Sequence, residues 1–454
     1  TQSRSSAASD VYKRQPMNAP QPNFDLSAAL RDAEERYVAE NPKSRAAYDH
    51  AQRNMPGGNT RTVLYYAPFP LSLAGGEGCH VTDVDGHRYI DTVSEQTAAL
   101  YGHSNPKIQA AVIEAVKQGI VLGGPTAREA ELAELLCARF EALELVRFTN
   151  SGTEANLFAV QTARGVTGRS KIMVFEGCYH GGLMSFGGYG STMNVPFPYV
   201  MAPYNDPERT VALIAEHAGD LACVIMEPMI GSGGCIPAQA DFVKAVREAT
   251  AKHGVVLIFD EVMSSRLAPG GFQSVLGVTP DMMTMGKYLG GGLSFGAFGG
   301  RREMMQRFDP SRPDAFGHAG TFNNNVLSMS AGIAGLREVL TPAESNRINE
   351  GGNGLRERLK QTLAKRGVPG TVTGYGSMLM IQLADGTYDR PKDTARVKPD
   401  ARALCQFEML SRGVYLSRRN MLNLSLPMTE TEFDAIVAAF DGFLETHAKP
   451  LTAA

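Results

Sequence analysis

The chain has 454 residues, with 44 lysines and arginines against 47 aspartates and glutamates, which gives a formal net charge of -3 at pH 7. Such a balance leaves no electrostatic footprint for nucleic acid or an anionic membrane, and no apolar run approaches the roughly 18 residues of a membrane span. The six cysteines are scattered, without a CxxC pair or the spacing of a metal site. We therefore expect reduced thiols, a cytoplasmic protein and a small-molecule partner.

The length exceeds what one hydrophobic core usually supports, which predicts more than one domain. Residues 1–16 are polar and serine-rich, and we expect a disordered or non-native leader there, with Met17 as a candidate natural start. Residues 17–90 are predicted to be an N-terminal segment that packs with a small C-terminal domain, residues 341–454. Residues 91–340 are predicted to form the large domain.

The N-terminal segment contains a loop rich in glycine and proline, MPGGNTRTVLYYAPFP at residues 55–70. Arg61 stands in it among apolar and small residues. A planar guanidinium in such surroundings suits a clamp for a carboxylate. A surface arginine explains the same residue equally well.

A short predicted strand at residues 145–148 is followed by NSGTEAN at residues 150–156, which opens a helix. Ser151, Gly152 and Thr153 would offer hydroxyl donors, backbone N–H groups and a helix dipole, and these together bind phosphate. Taken alone, the motif is more often an ordinary helix N-cap.

Tyr179 follows the next predicted strand, residues 171–175, and stands just before a glycine pair. An aromatic side chain in this position can stack on a flat ring, because glycine allows close approach. By itself, such a tyrosine is more often a core residue.

Two carboxylates, Asp260 and Glu261, follow an apolar run at residues 255–259 that predicts a strand buried on both faces. The carboxyl ends of strands are where open α/β sheets bind ligands, so we expect both side chains to face a ligand.

Lys287 lies between a methionine-rich run and three consecutive glycines. A partly desolvated amine loses basicity and can form a Schiff base with a carbonyl compound. Pyridoxal 5'-phosphate (PLP) needs such a lysine for its aldehyde, and a carboxylate such as Asp260 to keep its pyridine nitrogen protonated. A solvated loop lysine is the alternative for Lys287 alone.

Predicted strands and helices alternate through the large domain, which indicates an α/β fold with a mostly parallel, doubly wound sheet. The candidate residues all follow strand ends, where such a sheet binds its ligand. Beyond residue 341, amphipathic helices alternate with short strands, which favours a smaller α+β domain.

In combination these motifs resemble the class III aminotransferases of PLP fold type I. The likeness extends from about residue 54 to 427, and it rests on NSGTEAN, YHGG, EP, FDEV, GKYLGGG and GTFNNN in that order. The resemblance implies that Lys287 carries the PLP aldehyde and shuttles the proton, that Asp260 pairs with the pyridine nitrogen, and that Tyr179 and Val262 cover the two faces of the ring.

The resemblance also assigns the phosphate to Ser151, Gly152 and Thr153. Thr321 would reach a phosphate across a subunit interface, so the expected assembly is a homodimer with shared active sites. The implied partners are an amino donor and a 2-oxo acid acceptor.

Within the family, PGGNTRTVLYYAPFP, DEVMSSRLAP and HAGTFNNN look most like β-amino acid transaminases, which act on β-phenylalanine with 2-oxoglutarate as acceptor. That subgroup grips carboxylates with two arginines. Arg61 matches the first and Arg419 the second, although the adjacent Arg418 leaves the register open by one residue.

Two alternatives remain. The PGG loop and GGGLSFGAFGG also resemble glutamate-1-semialdehyde 2,1-aminomutase, although DEVMSSR departs from the DEVxTGFR pattern common in that enzyme. The chain could also be a catalytically silent PLP-binding protein, but Lys287, Asp260 and Tyr179 are all present and no DNA-binding segment is appended.

Overall fold

The computed structural model describes residues 25–187 and 191–452; the predicted leader and Met17 lie outside these ranges. The α-helices of the described residues are α1 Leu26–Glu40, α2 Pro42–Ala51, α3 Pro106–Gln118, α4 Ala127–Arg139, α5 Gly152–Thr167, α6 Pro207–Glu216, α7 Ala240–His253, α8 Phe272–Leu276, α9 Arg302–Met305, α10 Val326–Ala334, α11 Pro342–Arg366, α12 Pro399–Ser411 and α13 Glu430–Thr452.

The strands of the described residues are β1 Leu73–Glu77, β2 His80–Asp83, β3 Arg88–Asp91, β4 Leu145–Thr149, β5 Lys171–Phe175, β6 Tyr199–Ala202, β7 Leu221–Met226, β8 Met229–Ile230, β9 Ile236–Pro237, β10 Val256–Asp260, β11 Met282–Gly286, β12 Gly296–Gly300, β13 Thr371–Tyr375, β14 Met378–Gln382, β15 Val414–Tyr415 and β16 Met421–Asn423.

A seven-stranded sheet forms the centre of the large domain, in the order β4-β12-β11-β10-β7-β5-β6. Strand β12 runs antiparallel to both neighbours, and the other adjacent pairs are parallel. Every residue of β7, β10 and β11 is buried, as a continuous apolar run predicts when helices cover both faces. The predicted α/β architecture is confirmed.

The candidate phosphate motif follows β4 and forms the first turn of helix α5. The helix begins after Ser151, whose Oγ accepts the Glu154 N–H, and ends at Gly168, which adopts the left-handed conformation with φ of 67°. A hydroxyl N-cap and a glycine C-cap satisfy backbone groups that the helix itself leaves unpaired. The start of α5 is thereby fixed beside the end of β4.

The N-terminal segment shares a sheet with the C-terminal part of the chain. Strands β1, β2 and β3 form a meander, and β3 pairs in parallel with β15. Helix α1 packs on α12. These contacts join the predicted N-terminal segment to the predicted small domain, whose further sheet has the order β13-β14-β16. Across the part of the chain that the structure describes, no helix combines the length and apolar character needed to span a membrane.

Candidate active site

Three loops of the candidate site start at the same edge of the central sheet. Asp260 is the last residue of β10, Lys287 follows β11 directly, and Ser151 lies two residues beyond β4. Strands β10 and β11 are parallel neighbours, and β4 is separated from β11 by β12 alone. This common edge brings the candidate lysine, carboxylate and phosphate loop together.

Lys287 has an unusual backbone and a defined amine contact. Its φ is 58°, in the left-handed region that non-glycine residues avoid. Its Nζ donates to the backbone carbonyl of Gln96 at 2.5 Å. The strain of a left-handed lysine persists only where the surroundings determine it, and such residues cluster at functional sites.

The amine of Lys287 is easier to deprotonate than that of an ordinary lysine. Burial is the main cause that lowers its pKa to about 8, and the Arg61 guanidinium lowers it further, whereas Asp260 acts in the opposite direction. Because only the neutral amine is nucleophilic, this shift increases the reactive fraction near neutral pH.

Asp260 is held by a buried network of polar side chains. Its Oδ2 accepts from Asn156 Nδ2 at 2.7 Å and lies 2.8 Å from His180 Nδ1, while Oδ1 accepts the Val262 N–H at 3.0 Å. Asn156 is fixed in turn by Thr284, whose Oγ1 donates to Asn156 Oδ1 at 2.6 Å. The carboxylate is therefore oriented before any ligand binds.

His180 is buried behind this carboxylate. Burial alone would lower its pKa, but Cys178 and Asp260 more than offset that effect and raise the pKa well above the ordinary value. Within the described residues, His180 Nε2 is buried without a hydrogen-bond partner. A cationic imidazole that donates to Asp260 forms a charge-assisted hydrogen bond and holds the carboxylate in place.

The phosphate motif meets the other loops at Val262. A Cβ on Gly152 would lie 2.8 Å from both methyl groups of Val262, and a Cβ on Gly286 would lie 3.4 Å from one of them and 3.5 Å from the Gly152 nitrogen. Thr153 packs against Gly181, where a Cβ would be 2.3 Å from Thr153 Oγ1. Glycine is needed at residue 152 because the backbone passes so close to Val262.

Tyr179 presents its side chain outward, with 45% of its surface exposed. Its N–H donates to Glu227 Oε1 at 2.8 Å, and Glu227 Oε2 accepts the Gly231 N–H at 3.0 Å. Burial raises the pKa of Glu227 to about 7, with His180 acting in the opposite direction. The tyrosine ring is thus free to cover a flat ligand while its backbone is fixed.

Glu261 does not face a ligand, so the expectation for this residue was wrong. Its carboxylate accepts the N–H groups of Phe272 and Gln273 at the start of α8 and the hydroxyl of Ser264. Side chains of neighbouring residues point in opposite directions at the end of a strand, so only Asp260 is directed towards Lys287.

Arg61 is placed near the candidate lysine and forms an ion pair with Glu95. Its charge contributes to the lowered pKa of Lys287. Glu95 and Gln96 belong to a short turn, Ser94–Thr97, whose residues all have positive φ. Arg61 therefore lies in the same site as Lys287. Its partner Glu95 directly precedes Gln96, whose carbonyl accepts the hydrogen bond from the Lys287 amine.

Arg418 and Arg419 have different surroundings. The Arg418 guanidinium lies 4.8 Å from the ring centroid of Phe407 and 5.3 Å from that of Tyr66, and it donates to the Ala67 carbonyl. Although Arg419 as a whole is exposed, burial of its guanidinium lowers its pKa, with Tyr179 among its charge neighbours. Arg418 is thus engaged in packing, whereas Tyr179 and Glu227 are among the charge neighbours of Arg419.

Thr321 is exposed on the loop between α9 and α10. This loop contacts the phosphate motif of its own chain through Asn323, whose Oδ1 accepts from Asn150 Nδ2 at 2.9 Å. The structure thus brings together the other predicted residues of the site and leaves Thr321 on the surface.

Sequence reasoning missed several polar residues of the site. Asn156 closes the NSGTEAN motif and His180 follows Tyr179, so their positions in the motifs were a usable signal. The buried Arg266 ends the DEVMSSR motif, so its position was also a usable signal. Glu95 and Gln96 gave no local signal, because their contacts are made with residues distant in sequence.

The residues present fit PLP. A lysine of lowered pKa stands beside an oriented carboxylate, the N-terminus of α5 at Ser151 and Gly152 offers hydroxyl and backbone N–H donors, and an exposed tyrosine ring is available for stacking. These are the groups that the aldehyde, the pyridine nitrogen, the phosphate and the ring face require.

The class III aminotransferase family model matches residues 65–416. The β-phenylalanine transaminase of Variovorax paradoxus is 47% identical over 422 residues, which cover 93% of this chain and 97% of that protein. Glutamate-1-semialdehyde 2,1-aminomutase 2 of Brevibacillus brevis is 37% identical, with 86% of this chain and 95% of that protein covered.

Solved structures of aminotransferases are also similar to this chain. The crystal structure of the Variovorax paradoxus β-phenylalanine aminotransferase superposes with a TM-score of 0.92 and covers 93% of this chain and 98% of that chain. A transaminase structure with PLP bound has a TM-score of 0.83 at 36% identity, and covers 91% of this chain and 99% of the other.

Proposed function

Since this chain belongs to the class III aminotransferases, which depend on PLP, we propose that it transfers the amino group of an aromatic β-amino acid to 2-oxoglutarate. The donor would resemble β-phenylalanine, and the products would be a β-keto acid and glutamate. Support comes from the 47% identity to a β-phenylalanine transaminase and from the positions of two arginines at the site.

We assign the cofactor to residues of one loop cluster. Lys287 would bind the aldehyde, and Asp260, held by Asn156 and His180, would keep the pyridine nitrogen protonated. Ser151, Gly152 and Thr153 would hold the phosphate, together with Thr321 of a second subunit in a homodimer. Tyr179 and Val262 would enclose the ring. When bound, PLP supplies an electron sink for the bond that breaks at the amine-bearing carbon.

Lys287 would act as the proton carrier once the donor amine has replaced it. Its Nζ would take the proton from the amine-bearing carbon and deliver it in the next step, and its pKa of about 8 suits an exchange in both directions. The two half-reactions use one pocket in turn, so the keto acid product must leave before the acceptor enters.

The observation that carries the substrate assignment is that both arginines are electrostatic neighbours of candidate site residues. Arg61 lies near Lys287, and Arg419 lies among Tyr179 and Glu227. A β-amino acid has one carboxylate, whereas 2-oxoglutarate has two. One guanidinium can serve both substrates, and the second can serve the additional carboxylate of the acceptor.

The test is an acceptor-dependent assay. PLP-loaded protein is given racemic β-phenylalanine with and without 2-oxoglutarate, and glutamate is followed. We expect glutamate only when both compounds are present, with conversion stopping near half of the racemate if one enantiomer is used.

In Arg61→Met the KM for both substrates should rise, whereas Arg419→Met should raise the KM for 2-oxoglutarate more than that for β-phenylalanine. Absence of glutamate would contradict the proposal.

A second candidate is glutamate-1-semialdehyde 2,1-aminomutase, because a protein of that name is 37% identical over most of this chain. That reaction moves an amino group within one molecule and needs no external acceptor. Conversion of glutamate 1-semialdehyde to 5-aminolevulinate without consumption of 2-oxoglutarate would favour it over the β-amino acid reaction.

A further inference from the structure

Arg61, the candidate carboxylate clamp, already has a carboxylate partner within its own chain. Its guanidinium pairs with Glu95, and the two side chains are 39% and 57% exposed. An exposed ion pair is weak and exchanges readily with other ions, because water screens both charges. Glu95 therefore pairs with Arg61 in a way that a substrate carboxylate can displace.

The segment that carries Glu95 is strained. Four consecutive non-glycine residues, Ser94, Glu95, Gln96 and Thr97, have φ between 46° and 80°. L-residues avoid this conformation, and runs of it are rare. Such strain is retained where surrounding contacts determine it, and it is typical of ligand clamps and active sites.

The turn is fixed at both ends. Asp91 Oδ1 accepts the N–H groups of Val93 and Ser94, both at 2.9 Å. At the other end, Arg266 Nη1 donates to the Thr97 carbonyl at 3.3 Å. Because the ends are held by buried groups, the turn directs the exposed Glu95 side chain at Arg61.

The same turn contacts the candidate catalytic lysine. The carbonyl of Gln96 accepts from Lys287 Nζ, and Arg61 lies close enough to lower the pKa of that amine. Glu95 thus stands at the place where a substrate would put its carboxylate when its amine is near Lys287.

We propose that Glu95 is an internal substitute for the substrate carboxylate: it pairs with Arg61 in the empty site and gives up this pairing when a substrate carboxylate binds. This inference rests on the proposed function in assigning the substrate carboxylate to Arg61. The internal competitor weakens the binding of each carboxylate ligand and speeds its release. Fast release serves a reaction in which product and second substrate use one pocket in turn.

The experiment measures ligand binding to the PLP-loaded enzyme by calorimetry. The probe is 3-phenylpropanoate, which has the carboxylate and ring of the donor but no amine, and its neutral analogue 3-phenylpropanamide is the matched control ligand. We expect Glu95→Gln to bind 3-phenylpropanoate roughly two- to fivefold more tightly, the range set by the loss of one exposed ion pair. The amide should bind both proteins equally.

Two further variants isolate the effect. Glu248→Gln makes the same change in net charge at an exposed position of α7, and it should bind the carboxylate as the wild type does. In an Arg61→Met background, Glu95→Gln should no longer tighten carboxylate binding. Equal binding of 3-phenylpropanoate by the wild type and Glu95→Gln would overturn the inference, as would a gain of the same size in Glu248→Gln.

The outcome is separable from that of the proposed function. If the wild type fails to make glutamate from β-phenylalanine but Glu95→Gln still gains affinity through Arg61, the exchange stands and the substrate assignment falls. If the wild type makes glutamate and Glu95→Gln shows no gain, the exchange falls and the substrate assignment stands.

Discussion

Lys287 departs from an ordinary lysine in both its backbone and its amine. A left-handed φ costs a non-glycine residue about 1–2 kcal/mol, and this cost is offset by the contacts that direct the side chain towards Gln96 and Asp260. Glycine would remove the strain but also the amine. Function therefore accounts for a conformation that local sequence preference does not favour.

The reactivity of Lys287 can be measured in the protein without cofactor. Trace acetylation with acetic anhydride over a range of pH, followed by peptide mass spectrometry, reports the neutral fraction of each lysine. We expect reactivity of Lys287 to rise with pH and to reach half its maximum near pH 8, because burial and Arg61 lower its pKa. Lys244, exposed on α7, is the internal reference.

The contribution of Arg61 can be tested in the same assay. Removing this guanidinium in Arg61→Met should move the half-maximum of Lys287 to higher pH, since a neighbouring cation disfavours the protonated amine. A half-maximum near the ordinary value of 10.5 in the wild type would contradict the described surroundings of Lys287.

Replacing the Asn156 amide by a carboxyl group tests the charge balance of the network around Asp260. Asn156→Asp puts a second carboxyl group 2.7 Å from Asp260 Oδ2, so the folded pKa of this pair is raised. Ionisation then favours the unfolded chain, and stability falls as pH rises above the unfolded value of about 3.9. The thermal midpoint of Asn156→Asp should fall below that of the wild type by a larger amount at pH 8 than at pH 5.

Asn156→Ala is the uncharged control. It removes the donor to Asp260 and the acceptor for Thr284, which costs about 1–3 kcal/mol for buried groups left unpaired. Its deficit in thermal midpoint should be similar at the two pH values. An equal pH dependence in both variants would contradict the charge argument.

At the level of elements, the edge of the central sheet was predictable because each motif follows a strand. Apolar runs predicted β5 and β10 within one residue, and Asp260 followed from the end of β10, whereas Lys287 was located by the methionine-rich run that forms β11. The Ser94–Thr97 turn was not predictable, since the contacts that hold it come from distant segments. Glu261 was misassigned because a run of apolar residues does not tell which of two following carboxylates continues the inward face.

Arg266 shows how distant segments determine this turn. It is fully buried, and donates to the Thr97 carbonyl, to Ser377 Oγ at 3.0 Å and to the Leu424 carbonyl. Burial lowers the pKa of its guanidinium to about 10. One side chain thereby ties the turn and the loop after β10 to one end of the β13-β14-β16 sheet, where Ser377 precedes β14 and Leu424 follows β16.

Arg266→Met should therefore lower the thermal midpoint by several degrees, because three buried acceptors lose their donor and each costs about 1–3 kcal/mol. Scanning calorimetry provides the measurement. The control is Arg209→Met on the exposed face of α6, which should unfold within about a degree of wild type. Equal midpoints for the two variants would show that the turn is held by other contacts.

For the whole molecule, exposed apolar side chains indicate where a second copy would pack. Ile113 and Val116 lie on α3, and Val121, in the loop that follows, is 81% exposed. The loop that carries Val121 contacts the Thr321 loop through Asn324, whose Nδ2 donates to the Gly124 carbonyl at 3.5 Å. Exposed apolar side chains are typical of a protein interface, and Val121 lies in the loop that contacts the residues around Thr321.

A mixed dimer tests whether Thr321 serves the other subunit. Lys287→Ala should be inactive, and Thr321→Glu should lose activity at limiting PLP, since a carboxylate repels the phosphate. If each site combines Lys287 of one subunit with Thr321 of the other, a heterodimer of the two variants has one site with both defects and one with none.

Co-expression with two different tags, purification over both and assay at limiting PLP should give about half of the wild-type activity. If Thr321 serves its own subunit, every site of the heterodimer carries one defect, and activity stays at the level of the two parent variants. About half of the wild-type activity is therefore expected only if each site combines residues of both subunits, and not for every dimer.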